Sequence, residues 1–368
     1  MNGWKVASLA EPTLALERLA DLGPLRGDWT RLAERAENVF GTWEWADAWN
    51  RHLGAGARLE LGVARAADGG VVAILPLFEA RRTPFRLLRF LGAGPSDQLG
   101  PICAPEDRWT AAKAMARFLA SALRGGGIFI GERVLGTEGL GGQLGGVLLR
   151  SGPSPVLPVG GRSFDDFLGS RSRNFREQVR RRERRVAREH RLVYRLTEDP
   201  VQLEADMDTL IRLHYARWRD HESNALSGAR ASFHRDFSAR ALAHGWLRLW
   251  TMELDRRAVA AWYGFRFAGV ETYYQAGRDP ALDHLNVGFV LLSHAIRSAF
   301  DDGMREFRFG HGDEAYKNRF AELDPKLETI AVGVGLRGHV ALAATRLAWR
   351  MPWRVKAIAW RLGTPSGT

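Results

Sequence analysis

The chain has 368 residues, 45% of them hydrophobic and 26% charged, an ordinary balance for a folded, soluble protein. Its length suits two domains of about 100–200 residues each. No apolar run is long enough to span a bilayer, the opening MNGWKVASLAEP lacks the charged-then-apolar order of a secretion signal, and a single cysteine, Cys103, excludes an internal disulfide. A cytoplasmic protein with no metal site is expected, with Cys103 a packed thiol.

In chain order, residues 28–53 carry apolar and aromatic side chains at helical spacing, with a break at Gly41. Strands at 59–64 and 71–79 flank Asp68, Gly69 and Gly70 and read as a hairpin. LLRFLGAGPSDQLGPI follows as a short strand and a Gly/Pro loop, then a helix at 109–123 and a strand at 128–134. The stretch GLGGQLGGVLLRSGPSPVLPVGGRS reads as loop and as the domain boundary. Residues 171–191 hold ten arginines against three glutamates, so much of the formal net charge of +11 sits in one helix with a narrow stripe of Phe175, Val179 and Val186. That helix reads either as solvated packing between domains or as an anion-binding face. A strand at 192–197, helices at 200–218 and 233–243, and strands at 247–254, 258–267 and 270–276 come next. The remainder is a helix from Gly288 to about 301, a strand in REFRFGH, a short helix in DEAYKNRF and a last strand at 329–336. The order is mixed α/β, with antiparallel strands giving way to a crossover.

The helix at Gly288 starts after Asn286 and Val287, with no hydroxyl or carboxylate in those three positions. Exposed amides and the helix dipole make such a start a site for phosphate or another anion, and glycine lets a ligand come close.

This strand–loop–helix order resembles the GNAT acetyltransferase superfamily. The segments LRFLGAGPSDQLGP, SRSRNFREQVRRRERR, LIRLHYARWRDH, GWLRLWTMELDRRAVAAWYGFRF, YYQAGRDP, NVGFVLLSHAIRSAFDDG and FRFGHGDEAYKNRF, spread over about residues 30–325, resemble its acetyltransferase-like branch associated with cellulose and exopolysaccharide biosynthesis. That branch is related to the Fem-type aminoacyl transferases, which pair two GNAT-like domains. The resemblance implies two tandem GNAT-like domains, at 1–155 and 160–338, with a tail at 339–368. It implies an acyl-CoA co-substrate, acetyl-CoA foremost, lying along Tyr273, Tyr274 and Gln275 with its pyrophosphate on the amides around Asn286, Val287, Gly288 and Phe289. Strand alternation sends the two tyrosines to opposite faces, so one of them lines such a site. The loop at Asp97 and Gln98 becomes an acceptor-binding loop, or else a plain turn. Most members carry two closely spaced glycine or alanine positions before this helix. Only Gly288 is clear here, which leaves acetyl-CoA, a longer acyl-CoA and aminoacyl-tRNA open as donors.

Acyl transfer to an amine needs placement, loss of the amine proton, a stabilised oxyanion and protonation of the leaving group. No Ser-His-Asp or Cys-His order is recognisable, which favours direct transfer. GHGDEAYK supplies His311 as a base and Asp313 to orient it or to take a proton through water. By resemblance, Tyr316 protonates the departing thiolate and Lys317 faces the oxyanion or the donor's phosphates. Asp313 reads equally as a helix N-cap, and His311 and Tyr316 as packed residues. The function expected is an N-acyltransferase acting on an amine, such as an amino sugar or a cell-envelope or exopolysaccharide intermediate. The alternatives are a Fem-type transferase using aminoacyl-tRNA and a catalytically silent scaffold of polysaccharide synthesis. No DNA-binding motif is present.

Residues 340–362 place Arg346, Arg350, Arg354 and Arg361 on one helical side, Trp349, Trp353 and Trp360 beside them, and Leu347, Met351, Val355, Ile358 and Leu362 opposite. That profile suits a helix lying on an anionic membrane surface, hence a peripheral attachment to the inner face of the cell membrane; the alternative is a helix docked on the protein's own body or on a partner. Deleting 340–368 should lower co-sedimentation with anionic vesicles; unchanged partition would exclude the attachment.

Overall fold

The computed structural model describes residues 15–80, 85–217 and 225–350. Two mixed α/β sheets organise them. The first contains β1 (Ala15–Leu19), β2 (Arg58–Arg65), β3 (Val71–Ala80), β4 (Arg86–Phe90), β5 (Ile102–Cys103), β6 (Gly127–Leu135) and β7 (Val147–Gly152). The second contains β8 (Val156–Pro158), β9 (Leu192–Leu196), β10 (Leu247–Leu254), β11 (Arg257–Phe267), β12 (Val270–Arg278) and β13 (Glu306–Arg308). The last strand, β14 (Leu327–Val334), returns to the first sheet and lies between β6 and β7. Strand order is β1-β2-β3-β4-β6-β14-β7, with β5 also on β3, and β8-β13-β12-β11-β10-β9.

The helices are α1 (Arg26–Ala36), α2 (Trp43–His52), α3 (Arg108–Ala122), α4 (Leu140–Gln143), α5 (Phe164–Ser170), α6 (Arg173–Glu189), α7 (Pro200–Arg217), α8 (Gly228–Ala243), α9 (Val287–Asp301), α10 (Ala315–Phe320) and α11 (Gly335–Arg350). Each sheet has one parallel pair joined through a helix: β4 and β6 through α3, β12 and β13 through α9. The break expected at Gly41 is a 3-10 turn, after which Thr42 caps α2 by accepting from the Trp45 amide. Helix α5, which periodicity did not reveal, is fixed by a capping box between Ser163 and Asp166.

Division by chain position at 155, 160 and 338 does not follow the sheets. The strand expected at 329–336 in the second domain pairs with β6 and β7 of the first sheet. The glycine-rich boundary stretch holds two strands, β7 in the first sheet and β8 in the second. The proposed tail boundary at 339 falls inside α11, whose Ala341 is buried with Ile128 and Ala331. Sheet partners are chosen by non-local pairing, which linear reading does not contain. Residues 351–368 of the expected tail lie outside the described residues, as does Trp218, the last residue of the helix expected at 200–218. No helix among the described residues is long and apolar enough to cross a membrane.

The two sheets share one core. Trp45 of α2 meets Phe233 and Phe237 of α8, Phe265 of β11 and Tyr274 of β12 in edge-on contacts with centroids 4.6–6.1 Å apart, a favoured arrangement for aromatic pairs. Arg240 of α8 binds Asp47 of α2 at 2.7 Å. Helices α7 and α8 cover one face of the second sheet, and α5, α6 and α9 belong to the core on the other. At Gly277 the α7 backbone lies so close that a Cβ would overlap the His214 amide nitrogen. Gly277→Ala should therefore destabilise the protein by about 1–3 kcal/mol in urea denaturation. Gly142→Ala, with nothing within 4 Å of the new Cβ, should stay within about 0.5 kcal/mol of wild type.

Candidate functional site

Strands β12 and β13 pair only where Val270, Glu271 and Thr272 face Glu306, Phe307 and Arg308. Beyond Thr272, β12 continues to Arg278 with no β13 partner. After β13 the chain turns away through Gly310 and Gly312, with φ of 67° and 129°, values that glycine adopts at little cost. A side chain at Gly310 would come within 2.5 Å of Asp97 Oδ2, and one at Gly312 would overlap the Glu314 carboxylate. The resulting gap is a cavity of about 380 Å³. Its walls come from Trp262 of β11, Tyr273 and Ala276–Arg278 of β12, Gly288, Phe289 and Leu292 of α9, Tyr316 of α10, and Asp283 and Asn286 of the connecting turn.

A β-bulge selects what faces this cavity. The ladder pairs Tyr263 with Gln275 and Gly264 with Tyr273, leaving Tyr274 as the extra residue. Tyr273 and Ala276 both line the cavity, where strict alternation would pair Tyr273 with Gln275. Tyr274 points into the shared core, where its hydroxyl donates to the Pro95 carbonyl at 2.8 Å. Its hydroxyl also lies 3.3 Å from Nε2 of fully buried His234, which burial pushes down to about 3.

Helix α9 begins without a side-chain cap. Asn286 takes the left-handed conformation, φ 56°, and makes no capping hydrogen bond. Intrahelical bonding starts with the Phe289 and Val290 amides, both donating to the Asn286 carbonyl. The Val287 and Gly288 amides make no backbone bond of this kind, and the first turn holds no acid. Val287 contributes only backbone here, its side chain being fully buried. Arg278 crosses close to Gly288, Cδ at 3.3 Å from a Cβ placed there, and its guanidinium is bidentate to Asp283 at 2.6 and 3.0 Å.

The turn that carries His311 lies against β12, where a Cβ at Gly310 would come 3.3 Å from the Tyr273 carbonyl oxygen. Lys317 is 2% exposed. Its Nζ donates to the His311 carbonyl at 2.7 Å, pairs with Glu314 at 2.9 Å and lies 5.9 Å from the Tyr273 ring centre. His311 is half-buried, and burial lowers its pKa below the ordinary 6.5, with nearby Arg133 adding to the effect and Asp97 opposing it. Asp97 reaches this turn from the first unit, held by Arg133 at 2.7 Å, so the loop after β4 and the turn after β13 meet.

The structure therefore gathers Tyr273, Asn286, Gly288, Phe289 and Tyr316 in one wall, with the backbone of Val287 beside them, and brings Lys317, His311 and Asp97 together next to it. It does not bring in Tyr274, Gln275, Asp313 or Gln98. Asp313 is exposed, and the N-cap of α10 is Glu314, not Asp313. The Gln98 carbonyl accepts from Asn38 at 3.3 Å in a separate small cleft. Sequence reasoning missed Trp262, Arg278, Asp283, Leu292 and Arg133. Arg278 stands in the quoted YYQAGRDP, but only the bulge and the turn reveal that it borders Gly288.

Residues 173–318, which hold the whole cavity wall, match the family model of the acetyltransferase (GNAT) domain. Over those residues the chain is similar to GNAT acetyltransferase domains. No curated protein matches the sequence. Among solved structures, FemX is similar at 12% identity, over 88% of this chain and 98% of that one, with a TM-score of 0.61. The C-terminal domain of a putative lysylphosphatidylglycerol synthetase from Agrobacterium fabrum is similar at 12% identity, over 88% and 95%, with a TM-score of 0.57. L-PGS from Bacillus licheniformis follows at 13%, over 86% and 96%, with 0.54. At these identities the likeness is one of fold, and it extends beyond the GNAT domain to most of the chain.

The His311 ring should titrate below 6.5 by NMR and be neutral at pH 7. Arg133→Gln removes a repelling cation and frees the Asp97 carboxylate, so it should raise that midpoint; a fall would show that these groups do not act on His311.

Proposed function

We propose that the protein is an N-acyltransferase that moves an acyl group, acetyl foremost, from acyl-CoA to an amine. The observation that carries this reading is the meeting, in one cavity, of the unpaired edge of β12 with the uncapped start of α9. An unpaired strand edge offers backbone groups to the amides of an extended pantetheine arm. The Val287 and Gly288 amides, at the positive end of the helix dipole, offer donors to its diphosphate.

The amine nitrogen attacks the thioester carbonyl carbon, forming a C–N bond and a tetrahedral oxyanion. Collapse breaks the C–S bond and releases the thiolate. One proton leaves the nitrogen and one arrives at sulfur. His311, held neutral by burial, has a free lone pair for the first, directly or through water. Tyr316 on the cavity wall supplies the second. The Lys317 ammonium, buried below Tyr273, favours negative charge at the reacting carbonyl. Asp97 and Arg133, at the meeting of the two units, border the side from which the acceptor enters. An amino sugar or a cell-envelope or exopolysaccharide intermediate fits a protein whose tail is read as a membrane-surface helix.

A second reading is a Fem-type aminoacyl transfer from charged tRNA, favoured by the exposed arginines of α6, Arg173, Arg181 and Arg188 among them. Incubating a cell extract with the protein and labelled acetyl-CoA should place the label on a small amine, found by mass spectrometry. Tyr316→Phe should slow that transfer by about 10²–10⁴-fold, the usual range for loss of a general acid, while CoA still raises the melting temperature. Stabilisation by tRNA with none by CoA would select the second reading.

A further inference from the structure

Two arginines lie together beside Phe289 of the cavity wall, with no ion pair to an acid for either among the described residues. Arg182 of α6 sits 4.5 Å from the centre of the Phe289 ring, and Arg319 of α10 sits 5.6 Å from the same ring and 4.9 Å from that of Phe175. Phe289 lines the cavity one residue beyond Gly288. Arg319 donates to the neutral side-chain oxygen of Gln178. Burial lowers the Arg182 pKa, and the charges of Arg319 and then Arg181 lower it further.

The neighbouring carboxylates are committed elsewhere. On α6, Glu183 pairs with Arg297 at 2.8 Å, Glu189 with Arg185 at 3.1 Å, and Glu177 lies 3.9 Å from Arg184. Around α10, Glu314 pairs with Lys317, and Glu322 with Arg162 and Arg171. Asp283 at the cavity mouth is taken by Arg278. Like charges held together in a partly dehydrated place repel one another, and an anion placed between them removes that repulsion. Planar guanidinium groups are suited to the oxygens of a phosphate monoester, which they can hold in paired hydrogen bonds.

We propose that Arg182 and Arg319 form a second phosphate subsite, separate from the amides at the start of α9, that takes the 3′-phosphomonoester of a coenzyme-A-type donor. This rests on the acyl-CoA reading above. It gives the basic helix a function: of its many arginines, Arg182 is the one over the cavity's aromatic wall, while Arg180, Arg184 and Arg185 are engaged with carboxylates of their own surroundings. Both guanidinium groups gather at one half-buried ring, a spacing that suits a compact phosphomonoester rather than an extended RNA strand.

The test is calorimetric titration of the full chain with coenzyme A and with 3′-dephospho-coenzyme A. Wild type should bind coenzyme A about tenfold or more tightly than the dephospho form, within the range of charge-assisted hydrogen bonds. Arg182→Gln and Arg319→Gln should each weaken coenzyme A by about fivefold or more and leave the dephospho form unchanged. The double variant should bind both alike, Arg182→Lys should recover part of the preference, and Arg184→Gln should behave as wild type. Equal weakening of both ligands would assign the arginines to positioning Phe289 and overturn the subsite. Wild type that binds both forms equally would do the same and leave the acyl-CoA reading standing. Wild type that binds neither form, but binds tRNA in a manner lost in the double variant, would overturn both.

Discussion

The separation of β13 from β12 past Thr272 is the constraint on which the candidate site depends. Two parallel strands in register ordinarily gain a hydrogen bond for each further pair. Here the ladder stops after three, and the chain spends its conformational freedom on a turn through Gly310 and Gly312. Several contacts hold the gap open. Lys317 ties itself to the His311 carbonyl and to Glu314 from below. Phe309 and Phe320 fill the space behind, with centroids 6.3 Å apart, and Trp262 packs against both Tyr273 and Phe307. The edge of β12 is left to bond with whatever enters the cavity.

The second support is the aromatic core shared by the two sheets. Trp45 fixes α2 against α8, and the same indole donates to Ser96 at 2.8 Å, which in turn donates to the Gly92 carbonyl. Tyr274 holds the residue before Ser96 in that loop, Pro95, by donating to its carbonyl. The loop after β4 is thereby seated before Asp97 meets the His311 turn. Buried hydrogen bonds of this kind are costly to leave unmade and so fix geometry more than they add net stability. A reaction between two bound molecules needs such fixed placement, because near-attack geometry supplies a large part of the rate.

Local patterns in the chain revealed most elements and the α9 end of the cavity. Apolar spacing marks α3, α7 and α9, and the Asp68-Gly69-Gly70 turn marks the β2–β3 hairpin. The absence of a capping side chain at Asn286–Gly288 marks the open helix start. What stayed hidden is non-local. The bulge at Tyr274 depends on how β11 and β12 pair, so alternation placed Gln275 where Ala276 lies. The arginine helix gave its charge away at once, yet which of its arginines lies beside the cavity wall follows only from the approach of Phe289. Likewise, β7 and β8 sit in a Gly- and Pro-rich stretch whose composition reads as loop, and their strands exist because partners lie far along the chain.

The return of β14 to the first sheet has a consequence for how the protein is made. Strand β7 has its ladder on β14 alone, and β14 follows the entire second unit. During synthesis the ribosome must therefore deliver residue 334 before the first sheet can close, and until then the outer edge of β6 stays bare. Domains in sequence ordinarily fold one after the other as they emerge. Here the earlier sheet closes only after the later one has been made in full, so residues up to 155 do not contain all of its strands.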